Sequence, residues 1–81
     1  MATLVMFAAA RQAAGRGTDL VHGTTLGSVL DAATNRYGTT FADVLAYSRV
    51  WVNGEHPGAD AYSVLVGDDD EIAILPPISG G

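Results

Sequence analysis

One stretch of the chain carries an extended helical pattern, and it limits the folds available to everything around it. Apolar residues recur at Leu26, Val29, Leu30, Ala33 and Tyr37, a spacing that gathers them on one face of a helix. Thr24 or Thr25 can act as the N-cap, and Gly38 stands where a C-terminal cap belongs. No Glu or Gln lies three residues after either threonine, so no capping box is expected. Gly27 in the first turn weakens the helix by up to about 1 kcal/mol relative to Ala. Packing of the apolar face outweighs that loss.

The flanking segments read as strands. Thr3 to Phe7 is an apolar run that suits a strand buried on both faces, or one with a core face and a sticky outer face. Gly15-Arg16-Gly17 signals a turn and Thr18 to His22 a second strand, so a hairpin is expected. Phe41 to Leu45 suits one further helical turn. Arg49 to Asn53 reads as a third strand closed by an Asn53-Gly54 turn. His56-Pro57-Gly58 continues the loop, and Ala61 to Val66 is open between a short helix and an irregular segment. Gly67 to Asp70 forms a turn. Glu71 to Leu75 is the last strand, ended by Pro76-Pro77, which cannot donate ladder hydrogen bonds. The expected class is α+β: a mixed sheet of four or five strands with one main helix on one face. The other face then carries exposed apolar residues, the mark of a binding surface. Alternation sets Ile72 and Ile74 against Ala73 and Leu75, and we expect the isoleucines inside. Phe7, Trp51, Ala73 and Leu75 are the candidates for the outer face. Ordinary core membership competes for each, most of all for Trp51, since large aromatics dominate small cores.

With 81 residues, one domain is expected. The chain has no cysteine, which removes disulfides, thiolate metal sites and cysteine nucleophiles. Any sulfur chemistry must borrow its sulfur. Nine acidic residues against four arginines give a net charge of −5. Arg11, Arg16, Arg36 and Arg49 do not cluster, so nucleic acid is not an expected partner. An acidic surface favours a basic protein. The longest apolar run, Leu4 to Ala10, is too short to span a bilayer, and no basic segment precedes it. We expect no membrane association and a cytoplasmic location. His22 and His56 lie far apart with no third ligand, so no metal site is expected. Asp68-Asp69-Asp70 lacks the calcium-loop pattern and reads as a solvated turn that can steer a basic partner. Ser79 has no base beside it in sequence.

The chain ends Pro76-Pro77-Ile78-Ser79-Gly80-Gly81. A frayed terminus is the plain alternative. Two prolines directly after a buried strand, however, stiffen the exit and project the last four residues outward. Glycine has no side chain, so Gly80-Gly81 can thread a channel little wider than a backbone, and the terminal carboxyl carbon is unhindered. A terminal carboxylate, with a pKa of about 3.5, is ionised near neutrality. It is a poor electrophile but can attack the α-phosphate of ATP. The resulting acyl-adenylate is open to a sulfur nucleophile, and a thiocarboxylate results. Dividing a hard step through a covalent intermediate is ordinary catalytic logic.

Several residues together resemble a known family. Phe7-Ala8 with Arg11 and Gly15, Thr25-Leu26, Arg36-Tyr37, Val52-Asn53-Gly54-Glu55 and Asp70-Glu71-Ile72-Ala73 occur in the order found in the MoaD/ThiS sulfur carriers. The ending Leu75-Pro76-Pro77-Ile78-Ser79-Gly80-Gly81 is the most specific match, and it is most similar to the branch that forms the small subunit of molybdopterin synthase. The resemblance implies a β-grasp (ubiquitin-like) domain over residues 1–77 and a flexible tail over 78–81. It implies a co-substrate and subunit, not an enzyme by itself, with no stably bound cofactor. Gly81, with Gly80, would carry the chemistry. Phe7, Arg11, Leu75, Pro76, Pro77, Ile78 and Ser79 would bind partners. Those partners would be an ATP-dependent activating enzyme (MoeB-like) that adenylates Gly81, and the large subunit of molybdopterin synthase (MoaE-like). Two departures stand out: the acidic turn reads Gly67-Asp68-Asp69-Asp70-Glu71, and His56 takes a position more often apolar. A carrier for thiazole or cysteine biosynthesis, a protein modifier joined through Gly81, and a plain binding domain are the other readings.

Overall fold

The computed structural model describes residues 1–77. Four strands and three α-helices follow in the order β1 (Ala2–Met6), α1 (Ala8–Ala14), β2 (Thr18–Val21), α2 (Leu26–Tyr37), α3 (Thr39–Ala46), β3 (Arg49–Val52) and β4 (Glu71–Leu75), with a 3-10 turn at Ala61–Ser63. The sheet order is β2-β1-β4-β3. The central pair, β1 and β4, is parallel, and both edge strands are antiparallel to their neighbours. The α+β class, the mixed sheet and the last strand agree with the sequence.

Strand alternation divides the sheet into two unlike faces. Ala2, Leu4 and Met6 of β1, Val21 of β2, and Ile72 and Ile74 of β4 are buried on the inner face. They meet Leu26, Val29, Leu30 and Ala33 of α2 and Phe41 and Val44 of α3 in a single core. The four buried α2 residues are those of the expected apolar stripe, and Tyr37 is half-buried at its end. Its ring lies 5.1 Å from that of Phe41, tilted by 55°, an aromatic contact within the favourable range.

Three local expectations need correction. β1 and β2 do pair antiparallel, but α1 stands between them where a tight hairpin turn was expected. The segment Ala8–Ala14 is mostly alanine, the strongest helix former. Gly15, at φ 77°, closes the helix with its N–H donated to the Arg11 carbonyl, so the glycine is a helix cap rather than the start of a hairpin turn. Second, α2 does have a capping box: the Ser28 N–H donates to Thr25 Oγ1 at 3.1 Å and the Thr25 N–H to Ser28 Oγ at 3.0 Å. A serine therefore fills the role usually given to Glu or Gln. Third, the turn expected at Phe41–Leu45 is a full helix of eight residues. The ambiguous stretch 61–66 resolves into the 3-10 turn and a bridge from Leu65 to Thr25.

The remaining turns are built by polar side chains. Asn53 (φ 52°) and Gly54 (φ 80°) form the connection after β3, where two successive positive φ values suit an Asn-Gly pair. Asn53 Oδ1 accepts the Glu71 N–H at 2.8 Å and Asn53 Nδ2 donates to Asp70 Oδ1 at 2.9 Å. Asp70 Oδ2 also accepts the Gly67 N–H at 2.8 Å. Hydrogen bonds from Asn53 and then Gly67 hold the Asp70 carboxyl below its ordinary range. The acidic turn is thus a brace that sets the start of β4.

Candidate functional site

The outer face of the sheet has no helix over it, and its side chains follow from register. Trp51 stands opposite Ala73 and Arg49 opposite Leu75 across the β3–β4 pair, while Val5 neighbours Ala73 across β1–β4. Ile72 and Ile74 have no exposed surface, whereas Ala73 and Leu75 on the opposite face are half-buried. Phe7 follows β1 directly and is fixed by its N–H bond to the Ile74 carbonyl at 3.2 Å. The next residue, Ala8, has φ 49°, and this change of direction starts α1 and leaves the Phe7 ring 46% exposed. Phe7, Trp51, Ala73 and Leu75 line one groove of about 440 Å³, together with Pro76 and Pro77 at its end.

Most of the expected apolar site residues are therefore brought together, Trp51 among them. Tyr47 and Arg49 also line this groove, and sequence reasoning had assigned neither to it. Tyr47 caps α3 and is 57% exposed. An exposed aromatic just after an amphipathic helix was the available signal. Arg11 lies elsewhere, in a shallow depression with Gln12, Gly15 and Arg16, its guanidinium beside Gly17. The expected site residues Ile78, Ser79, Gly80 and Gly81 lie outside the described residues.

The four arginines are placed differently. Arg16 and Arg36 are both spent on Asp19, at 3.2 and 2.7 Å. The Tyr37 hydroxyl donates to the same carboxylate. That bond first, with help from Arg36 and the Leu20 N–H, outweighs burial and lowers the Asp19 pKa to about 2. Burial, followed by the bond to Asp19, raises the Tyr37 phenol above its ordinary value. The cluster ties β2 to the end of α2 and leaves Arg11 and Arg49 as the arginines without an ion pair among the described residues. Arg49 thus gives the apolar groove a single cation. The lining offers no acid–base pair, and among the described residues no three His, Asp or Glu side chains converge on a metal position. Chemically the groove can dock a partner. No helix among them is long and apolar enough to cross a membrane.

The chain matches the ThiS family over residues 4–81, which takes in the sheet from Leu4 onward, the groove and the Gly-Gly end. The chain belongs to the ThiS family. Members of this family are small ubiquitin-like sulfur carriers and modifiers, not enzymes themselves. Solved structures agree on the fold. The Amycolatopsis orientalis BexX/CysO complex contains a chain with TM-score 0.83 and 22% identity, each chain covered to 100%. The small archaeal modifier protein 1 of Haloferax volcanii has TM-score 0.77 and 29% identity, with 99% of this chain and 98% of that one covered. A Pyrococcus furiosus protein described as a molybdopterin converting factor, subunit 1, has TM-score 0.76 and 20% identity, with 95% and 97% covered. No curated protein matches significantly. The four-stranded sheet with its helices is accordingly the β-grasp, ubiquitin-like fold.

Proposed function

We propose that this ThiS-family chain is the sulfur carrier of molybdopterin synthesis, with Gly81 as its working residue. The observation that carries the reading is the position of the groove. Pro76 and Pro77 form its end, and Ile78-Ser79-Gly80-Gly81 come next in sequence. A partner seated on Phe7, Trp51 and Leu75 is thereby placed at the base of the tail. Apolar anchors of this kind dominate binding energy when they are desolvated at the centre of an interface.

The chemistry needs nothing from the domain except delivery. The Gly81 carboxylate attacks the α-phosphate of ATP on an activating enzyme, and pyrophosphate leaves. A sulfur nucleophile then displaces AMP, giving a thiocarboxylate. On the second partner, the large subunit of molybdopterin synthase, that sulfur attacks a carbon of the precursor pterin and displaces an oxygen leaving group; water then cleaves the acyl–sulfur bond, which leaves sulfur on the pterin and returns the Gly81 carboxylate. Activation through an acyl intermediate lowers each barrier separately. The absence of cysteine leaves no internal thiol to intercept the activated carbonyl. Reconstitution tests the pathway: the thiocarboxylated chain, the large subunit and the precursor pterin are mixed and molybdopterin is measured. We expect product to form in proportion to the thiocarboxylate supplied. Absence of product, with the sulfur still on the chain, rejects this pathway.

One observation favours a second reading. Identity is higher to a small archaeal modifier protein, at 29%, than to the molybdopterin converting factor, at 20%. Under that reading Gly81 is joined to lysines of target proteins. The chain itself contains no lysine, its basic residues all being arginine, so lysine-linked chains of the modifier cannot form. An immunoblot for high-molecular-weight conjugates separates the two readings, a ladder favouring the modifier.

A further inference from the structure

Each edge of the sheet has one rung whose outward backbone groups are occupied. At β2 the outward-facing backbone groups of Leu20 are already occupied: its N–H donates to Asp19 Oδ1 at 2.9 Å and its carbonyl accepts from Arg36 Nη1 at 3.0 Å. A rung occupied in this way resists pairing with another chain, while the same register leaves the outward groups of Thr18 without a backbone partner among the described residues. At β3 the ladder has a similar outcome. The Asn53 N–H donates to the Glu71 carbonyl at 2.8 Å, so the register turns the backbone groups of Arg49, Trp51 and Asn53 toward β4 and those of Val50 and Val52 away from it. Val52 uses both of its groups on Glu55 across the turn, at 2.9 and 3.0 Å. Val50 has no such partner for its outward N–H and carbonyl among the described residues.

A groove of about 350 Å³ runs beside this open rung. It is lined by Leu26 and Leu30 of α2 and by Ala61 and Tyr62 of the 3-10 turn, and it carries Arg49 and His56. Among the described residues no carboxylate lines it, although the chain as a whole has a net charge of −5. A paired donor and acceptor on an edge strand is complementary to another extended backbone. The apolar lining suits one side chain of that backbone, and the arginine suits a carboxylate.

We propose that the β3 edge docks a short extended segment of a partner polypeptide. That segment pairs its backbone with Val50, seats one apolar side chain against Ala61 and Tyr62, and directs a carboxylate to Arg49. This surface adjoins the Trp51 groove, with which it shares Arg49, and does not depend on the sulfur chemistry of Gly81.

The test is an amide NMR titration of the full chain with a capped peptide of sequence Asp-Val-Thr-Val-Thr. Two controls accompany it, one with N-methylated valines and one with Lys replacing Asp. The expected result is a saturable shift of the Val50 amide with slower solvent exchange. Each control should bind about three- to tenfold more weakly, the factor expected for losing one hydrogen bond or charge contact. The Val50→Pro variant removes an outward N–H and no ladder bond, a position where an edge strand tolerates proline. It should keep a dispersed spectrum and lose peptide binding; if it fails to fold, the N-methylated peptide still decides. A Val50 amide unmoved by millimolar peptide, or equal binding of the N-methylated control, overturns the proposal. So does a shift that follows protein concentration alone, which assigns the edge to a second copy of the chain.

Discussion

Ile74 and Leu75 are adjacent in the chain yet occupy opposite environments, one without exposed surface and the other half-buried on the outer face. The contrast allows docking to be separated from folding at one position. Leu75→Glu should leave the circular dichroism spectrum intact while weakening the partner complex by about tenfold or more, the loss typical of a hot-spot side chain; global unfolding would contradict the placement. This part of the site was legible because alternation in a strand needs no tertiary information. Tyr47 and Arg49 were not legible, since their arrival at the groove depends on how α3 returns to β3. The Asp19 cluster was equally hidden, being a contact between residues about 17 positions apart. Its effect on stability has a definite sign. The Asp19 pKa is lowered in the fold from 3.8 to about 2, so its contribution is fully present above pH 4 and is lost as the pH falls toward 2. Tyr37→Phe removes the leading cause and should cost about 1 kcal/mol near neutrality. Urea denaturation between pH 2 and pH 7 should show a shallower acid loss in the variant than in the parent.

Helices and strands were legible to different depths. The apolar stripe of α2 and its ends at Thr25 and Gly38 could be read because cap and periodicity agreed. Its capping box could not, because Ser28 makes the reciprocal bond with a shorter side chain than the usual signature contains. Thr25→Ala should therefore lose more than a lone cap residue would, about 1–2 kcal/mol, measured as a lowered urea midpoint with an unchanged slope. The helix α1 was missed because one turn signal at Gly15 to Gly17 outweighed the helix propensity of the alanines before it. At seven residues, α1 is too short to be stable alone and owes its order to the core, where Ala10 is buried.

At the scale of the molecule, the sheet presents one face to its helices and leaves the other open, so the fold produces a core and an open apolar face from the same strands. The sequence already pointed to this, since the apolar run Thr3 to Phe7 suits a strand with a core face and a sticky outer face. The ThiS-family match over residues 4–81 takes in both that surface and the Gly80-Gly81 ending, which we propose a partner enzyme activates. Intact-mass analysis of the chain co-expressed with an ATP-dependent activating enzyme bears most directly on the account. It should reveal a species in which one oxygen is replaced by sulfur, located at Gly81 by fragmentation and absent when Gly81 is deleted. An unchanged mass beside an active activating enzyme, or sulfur found on the chain without Gly81, would contradict it.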